Sequence, residues 1–136
     1  MLKEDYLMRF FQQFNESLSK WLSKKNENSY ELIITFNDEL VKPFLDNDFI
    51  FFEQKNIEEL IVYFQNKYNN EYERLAALDI LAELYYQRAF LCQDVSERDR
   101  FLTTVIDLLS HQSSVDKVFS VQREDRMREI REQILQ

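Results

Sequence analysis

The chain has 136 residues, 45% hydrophobic and 31% charged, with a formal net charge of −8 and no glycine. That length and balance describe one globular domain, residues 1–136, with room for a core rather than a disordered chain. Average usage would give about nine or ten glycines; without any, a Walker loop, a dinucleotide fingerprint, a kinase phosphate loop and a nucleophile elbow are all excluded, because each needs glycine where backbone meets phosphate or turns sharply.

Missing glycine also disfavours tight hairpins and bulges. The predicted fold class is therefore all-α, with five or six helices in antiparallel hairpins forming a bundle or short solenoid. The single cysteine permits no internal disulfide and suits a reducing compartment. No uncharged apolar run approaches the ~18 residues needed to span a bilayer, and the opening MLKEDYLMRFF lacks the apolar core of a signal peptide. A cytoplasmic protein is expected. The acidity is concentrated: residues 26–73 hold eleven acidic and three basic groups. Such a surface repels nucleic-acid phosphate and anionic lipid.

A first helix is expected from Lys3 to Lys25, with Leu7, Phe11, Phe14, Leu18 and Trp21 as its buried stripe, widened by Phe10 and Leu22. Asp5–Arg9 and Glu16–Lys20 are i, i+4 pairs. The polar run Asn26-Glu27-Asn28 stops it. Asn28 and Glu31 have capping-box spacing for a second helix, buried through Ile33, Phe36, Leu40 and Phe44. Pro43 predicts a kink or an end, with one more turn to Leu45. Residues 47–55 hold Phe49, Ile50, Phe51 and Phe52. They read as a short helix, since a lone strand has no partner, and at least one of these side chains faces outward. Asn56 and Glu59 repeat the capping-box spacing for a helix to Lys67, buried through Leu60, Ile61 and Phe64.

The stretch Tyr72–Cys92 is the predicted centre of the fold. Leu75, Leu78, Ala82, Tyr85, Ala89 and Cys92 form one stripe, and Ala77, Ile80, Leu81, Leu84 and Leu91 cover the other side. Only Asp79, Glu83 and Gln87 stay polar, so the helix is apolar nearly all round and belongs inside. Ser96 reads as the next N-cap, for a helix from Glu97 to His111 buried through Phe101, Val105, Leu108 and Leu109. A polar turn, Gln112-Ser113-Ser114, leads to a last segment from Val115 to Gln136. There Met127, Ile130 and Ile134 face inward, and Glu124, Arg128 and Glu132 form an outer ladder.

Leu81-Ala82-x-x-Tyr85, followed by a helix with Phe101, Val105 and Leu108, resembles a degenerate tetratricopeptide-type hairpin. Glu4-Asp5-Tyr6-Leu7-x-Arg9-Phe10-x-x-Gln13, with Leu81-Ala82-Glu83-Leu84, is similar to a bacterial family of small uncharacterised helical proteins. The first resemblance implies a TPR-like arrangement and a peptide-holding concave face; the second implies no activity.

Chemistry is sparse. One histidine, His111, excludes a paired Glu-x-x-His di-iron site. A zinc site from His111 and Cys92 would need carboxylates that no spacing supplies. His111 reads as a helix C-terminal residue whose charge the dipole favours. Cys92 reads as a buried, inert thiol, so a Cys92–His111 nucleophilic pair is not expected. Adjacent carboxylates such as Glu58-Glu59 and Asp38-Glu39 point about 100° apart on a helix. Arg123, Arg126, Arg128 and Arg131 are interleaved with Glu124, Asp125, Glu129 and Glu132, so they read as a solvent-exposed charged face.

These exclusions predict no enzyme, no catalytic residue, no cofactor and no metal. They predict a non-enzymatic interaction module of adaptor or scaffold type, binding a protein or peptide, with a second copy of the chain as one candidate and neither nucleic acid nor membrane as a partner. Tyr63, Tyr68, Tyr72, Tyr86 and Phe51 are the candidate contact residues. The competing expectation is a small-molecule binder or enzyme with a pocket between helices.

Overall fold

The computed structural model describes residues 2–24 and 28–135. Among them there is no strand, and helices make up 83%. The elements are α1 (Leu2–Leu22), α2 (Ser29–Thr35), a π-helical stretch (Phe36–Val41), α3 (Lys42–Leu45), α4 (Phe49–Glu53), α5 (Ile57–Lys67), α6 (Glu71–Ala89), α7 (Val95–Val115) and α8 (Val121–Leu135). With α2, the π stretch and α3 as one continuous rod, these are seven helices, against the five or six expected. Lys25, the Asn26-Glu27 stop and Gln136 lie outside the described residues, as does the Asp5 side chain of the Asp5–Arg9 pair. Two compact units result, Met1–Ala77 and Leu78–Gln136, the boundary falling within α6.

Aromatic rings build the first unit. Phe14, Leu18 and Trp21 of α1 are buried, with Phe36, Leu40 and Val41 of the π stretch, Leu45, Phe49, Phe52, Leu60 and Phe64. Trp21 lies 5.6 Å from Phe36, and Phe36 lies 5.5 Å edge-on to Phe49. Phe44 meets Phe14 edge-on at 5.2 Å and Phe10 at 5.7 Å. Such edge-to-face pairs add to the energy of burial. The Trp21 indole N–H donates to the Leu32 carbonyl (3.2 Å) and the Thr35 hydroxyl (3.1 Å). Leu7, Phe10 and Phe11 are half-buried and Leu22 is exposed, so the α1 stripe is narrower than its spacing suggests.

Pro43 neither ends the second rod nor sharply breaks it. Proline lacks an N–H, and its ring crowds the carbonyl four residues back. Here the ladder widens just before it: the Lys42 N–H bonds to the Asn37 carbonyl, five residues earlier. The rod then closes at Asp46, whose φ of 64° is left-handed. Glycine is the usual residue there. A chain with none uses aspartate, among the few residues that tolerate this region. Asn37 ties on the next helix, its Oδ1 accepting the Phe49 N–H (2.8 Å).

Residues 47–55 contain the expected short helix. Asp48 caps it, accepting the Phe51 N–H (3.1 Å). Phe49 and Phe52 point inward, Phe51 is half-buried and Ile50 is exposed. At Asn56 both halves of the capping box form, at 2.8 Å and 3.1 Å. Asn56→Ala should therefore destabilise the first unit by about 1 kcal/mol, seen as a lower urea midpoint with an unchanged slope. At Asn28 the forward bond to the Glu31 N–H forms (2.9 Å).

In the second unit Leu78, Ile80, Leu81, Ala82, Leu84, Tyr85 and Ala89 of α6 are buried, as are Phe101, Leu102, Val105, Leu108 and Leu109 of α7 and Met127 and Ile130 of α8. Tyr85 meets Phe101 edge-on at 5.7 Å. Leu91 and Cys92 are half-buried in the turn after α6. Two boundaries differ from the sequence reading. Asp94, not Ser96, caps α7, its carboxylate accepting the Ser96 N–H (3.1 Å). The polar run Gln112-Ser113-Ser114 stays helical, because Gln112 is buried and its Nε2 donates to Asp79 Oδ1 (3.1 Å). Consequently α8 starts at Val121, capped by the Ser120 hydroxyl on the Arg123 N–H (3.3 Å).

Candidate interaction surface

Helices α4 and α5 bring three of the sequence candidates into one cluster. Phe51 and Tyr63 meet edge-on at 5.1 Å, Tyr63 meets Phe64 at 5.1 Å, and Tyr68 stacks on Phe64 at 6.1 Å. Phe52 and Phe64 form the buried floor, while Phe51, Tyr63 and Tyr68 stay half-buried above it. Two ammonium groups sit against these rings. Lys55 Nζ is 4.1 Å from the Phe51 centroid and 5.8 Å from that of Tyr63. Lys67 Nζ is 5.8 Å from Tyr63 and 5.6 Å from Tyr68. The face thus alternates cation and ring, a pairing favoured by the ring quadrupole.

Hydrogen bonds hold this face still. The Asn47 amide donates to the Tyr63 hydroxyl (3.2 Å). Lys67 Nζ donates to Asp46 Oδ2 (2.9 Å) and to the Leu45 carbonyl (3.2 Å), an end carbonyl of α3. Burial works against the Lys67 ammonium, but the Asp46 bond and the Tyr68 and Tyr63 rings outweigh it and raise its pKa. Burial also pushes the Tyr68 phenol up, against the pull of Lys67. Both groups keep their charge states at neutral pH, a fixed cationic edge on an otherwise acidic stretch.

The other two candidates sit elsewhere. Tyr72 is exposed at the start of α6. Tyr86, in the second unit, meets Phe90 edge-on at 4.8 Å and lies under the Arg126 guanidinium at 3.6 Å.

That contact belongs to a network the sequence reading assigned to solvent. Arg123 is buried. Its Nε and Nη2 donate to the two oxygens of Asp79 (3.0 and 2.7 Å), and its Nη1 donates to Asp116 (2.8 Å). Arg126 donates to Glu83 (3.2 Å). Asp79 and Glu83 lie one turn apart on α6, so two acids on one helix receive two arginines from another. Arg123 and Arg126 are structural rather than a free charged face. Arg128, by contrast, is exposed and bonds Asp125, and Arg131 is exposed.

Burial pushes the Glu83 carboxyl above its ordinary value of 4.5, against the attraction of Arg126. A carboxyl raised on folding contributes fully at low pH, and that contribution is lost as pH rises through the raised pKa. Glu83→Gln removes this slope, so the variant should gain stability relative to the parent as pH climbs from below 4.5 to neutrality. Urea titrations at several pH values check this; a difference that shrinks with rising pH would mean that Arg126 governs the group.

Neither lone reactive residue matches its expected setting. Helix α7 continues four residues past His111, and burial lowers the His111 pKa instead of the helix end supporting its charge. Cys92 is half-buried, with Arg88 Nη1 and the Arg88 carbonyl each 3.6 Å from its sulfur. Among the described residues no group of three or more His, Cys, Asp or Glu is placed to hold a metal ion, and no helix is long and apolar enough to cross a membrane.

Sequence reasoning missed one feature. Val118 and Phe119 are strongly exposed in the α7–α8 connection, where a continuing helix was expected. The signal was Ser120, a good N-cap followed by the charged first turn of α8. Compared with protein-family models, curated proteins and solved structures, the chain matches none.

Proposed function

We propose that this protein is a non-enzymatic interaction module that engages a protein or peptide through the α4–α5 face. The carrying observation is the cluster of Phe51, Tyr63 and Tyr68, half-exposed, held by Asn47 and flanked by Lys55 and Lys67. Rigid aromatic anchors with a cationic edge are what binding hot spots use. The α6–α7 pair supports a TPR-like reading: Leu81, Ala82 and Tyr85 are buried, and Tyr85 faces Phe101. In that reading the chain is a scaffold, consistent with the bacterial helical family it resembles.

A photo-crosslinking residue at position 51, used in a native extract, tests this. A discrete adduct is expected, lost on Tyr63→Ala without a change in Tm and absent when the crosslinker sits at Gln65. The same adducts from both positions would overturn the proposal.

The competing reading, a small-ligand pocket, is favoured by an open groove of about 900 Å³ along α1, lined by Met8, Phe11, Gln12, Asn15, Glu16 and neighbours. Small-ligand sites bury most of their ligand's surface. This groove is open, which suits a helix lying along it better than an enclosed molecule.

A further inference from the structure

We propose that two copies of this chain form a dimer by exchanging α8, with residues 116–120 as the hinge. This does not rest on the α4–α5 reading.

The first observation is the hinge itself. Val115, Val118, Phe119 and Val121 are 40%, 72%, 74% and 61% exposed. Single apolar side chains on a surface are ordinary, but four within seven residues make a patch. Valine and phenylalanine favour extended backbone, and the backbone at Asp116 is already extended, with ψ at 123°. Opened out, five residues reach roughly 17 Å, enough to carry α8 away from its own α7.

The second observation is how α8 is held. Its bonds run to α6 and α7: Arg123 to Asp79, Arg126 to Glu83, and Met127 Sδ to the Ser110 hydroxyl (3.5 Å). These contacts form equally well with the α8 of another copy. The remaining anchor, Asp116 to the Val118 N–H (3.1 Å) and to Arg123, lies wholly within the hinge and α8 and would travel with them. The closed interface is therefore the same in monomer and dimer, and exchange of this kind is a low-cost route to a dimer. What differs is the hinge. In the dimer two hinges pass each other about the two-fold axis and cover each other's Val118 and Phe119.

The partner is specified by chemistry. Asp79 and Glu83 require two cations at the spacing of Arg123 and Arg126, with apolar residues one turn on. Another copy of this chain supplies that pattern together with the matching apolar hinge.

The test uses Ser110→Cys and Met127→Cys together in a Cys92→Ser background, where the new pair alone can crosslink. After oxidation at millimolar protein concentration, a covalent dimer is expected on a non-reducing gel, and light scattering of the parent protein should give twice the chain mass. Val118→Asp with Phe119→Asp should lower the dimer fraction at least tenfold while circular dichroism stays unchanged. A parent that stays monomeric at that concentration, or a dimer whose 110–127 crosslink is confined to single chains, overturns the proposal. If the cysteine variant does not fold, the hinge variant decides: a dimer that survives Val118→Asp and Phe119→Asp refutes exchange.

Discussion

Arg123→Ala should lower the stability of the second unit by about 3–5 kcal/mol, the cost of removing one partner from a buried ion pair. Only 10% of the Arg123 side chain is exposed, and it faces two carboxylates, Asp79 and Asp116, whose side chains are 27% and 22% exposed. Removing the guanidinium leaves both acids charged and largely cut off from water. Gln112 would be the remaining described donor on Asp79. Asp116 keeps the Val118 N–H, the main cause of its lowered pKa, but loses Arg123, the second cause. Arg123→Lys should recover only part of the loss, because an ammonium cannot span both oxygens of Asp79 as the planar fork does. Adding Asp79→Asn to Arg123→Ala should restore more than it costs, since it removes the stranded charge. Urea unfolding followed by circular dichroism measures all of these. Arg131→Ala is the control and should lie within about 0.5 kcal/mol of the parent, as exposed substitutions do. A loss below 1 kcal/mol for Arg123→Ala would mean that water reaches both acids.

Phe36→Ala should cost the first unit a similar amount, about 3–5 kcal/mol. Phe36 is fully buried between Trp21 and Phe49. It sits in the π stretch, which packs against α1, α2 and α3, so the vacated space is bounded on several sides and collapses poorly. Trp21 is the sole tryptophan and lies against the missing ring. Its emission therefore reports this site directly: it should shift to longer wavelength in the folded variant, and the urea midpoint read from it should fall. Phe36→Leu, which keeps most of the volume, should lose less than half as much. An unshifted emission would place water elsewhere than beside Trp21.

Most of the fold was legible because helix periodicity and capping chemistry act locally. Asn56 with Glu59, and Asp48 before Phe49, set helix starts from short-range bonds alone. The α6 stripe of Leu78, Ala82, Tyr85 and Ala89 follows from 3.6-residue spacing. What stayed hidden depends on residues far apart in sequence. Gln112 reads as a turn former until Asp79, 33 residues away, gives its amide a partner. Arg123 and Arg126 read as surface charge because their acids lie on α6, 44 and 43 residues back. A lone Asp79 in an otherwise apolar helix was the available hint that a cation must approach it. The cluster of Phe51, Tyr63 and Tyr68 was half-legible: the residue types stood out, but the neighbourhood of α4 and α5 that joins three of them and leaves Tyr86 apart did not.

The widened turn before Pro43 bears on how this gene tolerates change in length. A rod with an i−5 bond from Lys42 to Asn37 holds one residue more than a regular α-helix needs. Deleting a single codon between Asn37 and Glu39 would let the ladder become regular, yet it would turn everything after it by about 100°. Phe44 would then swing away from Phe10 and Phe14, and Leu45 would leave the interior. The surplus residue thus acts as an indexing shim, and descendants that lose it should also reshape the aromatic face of α1.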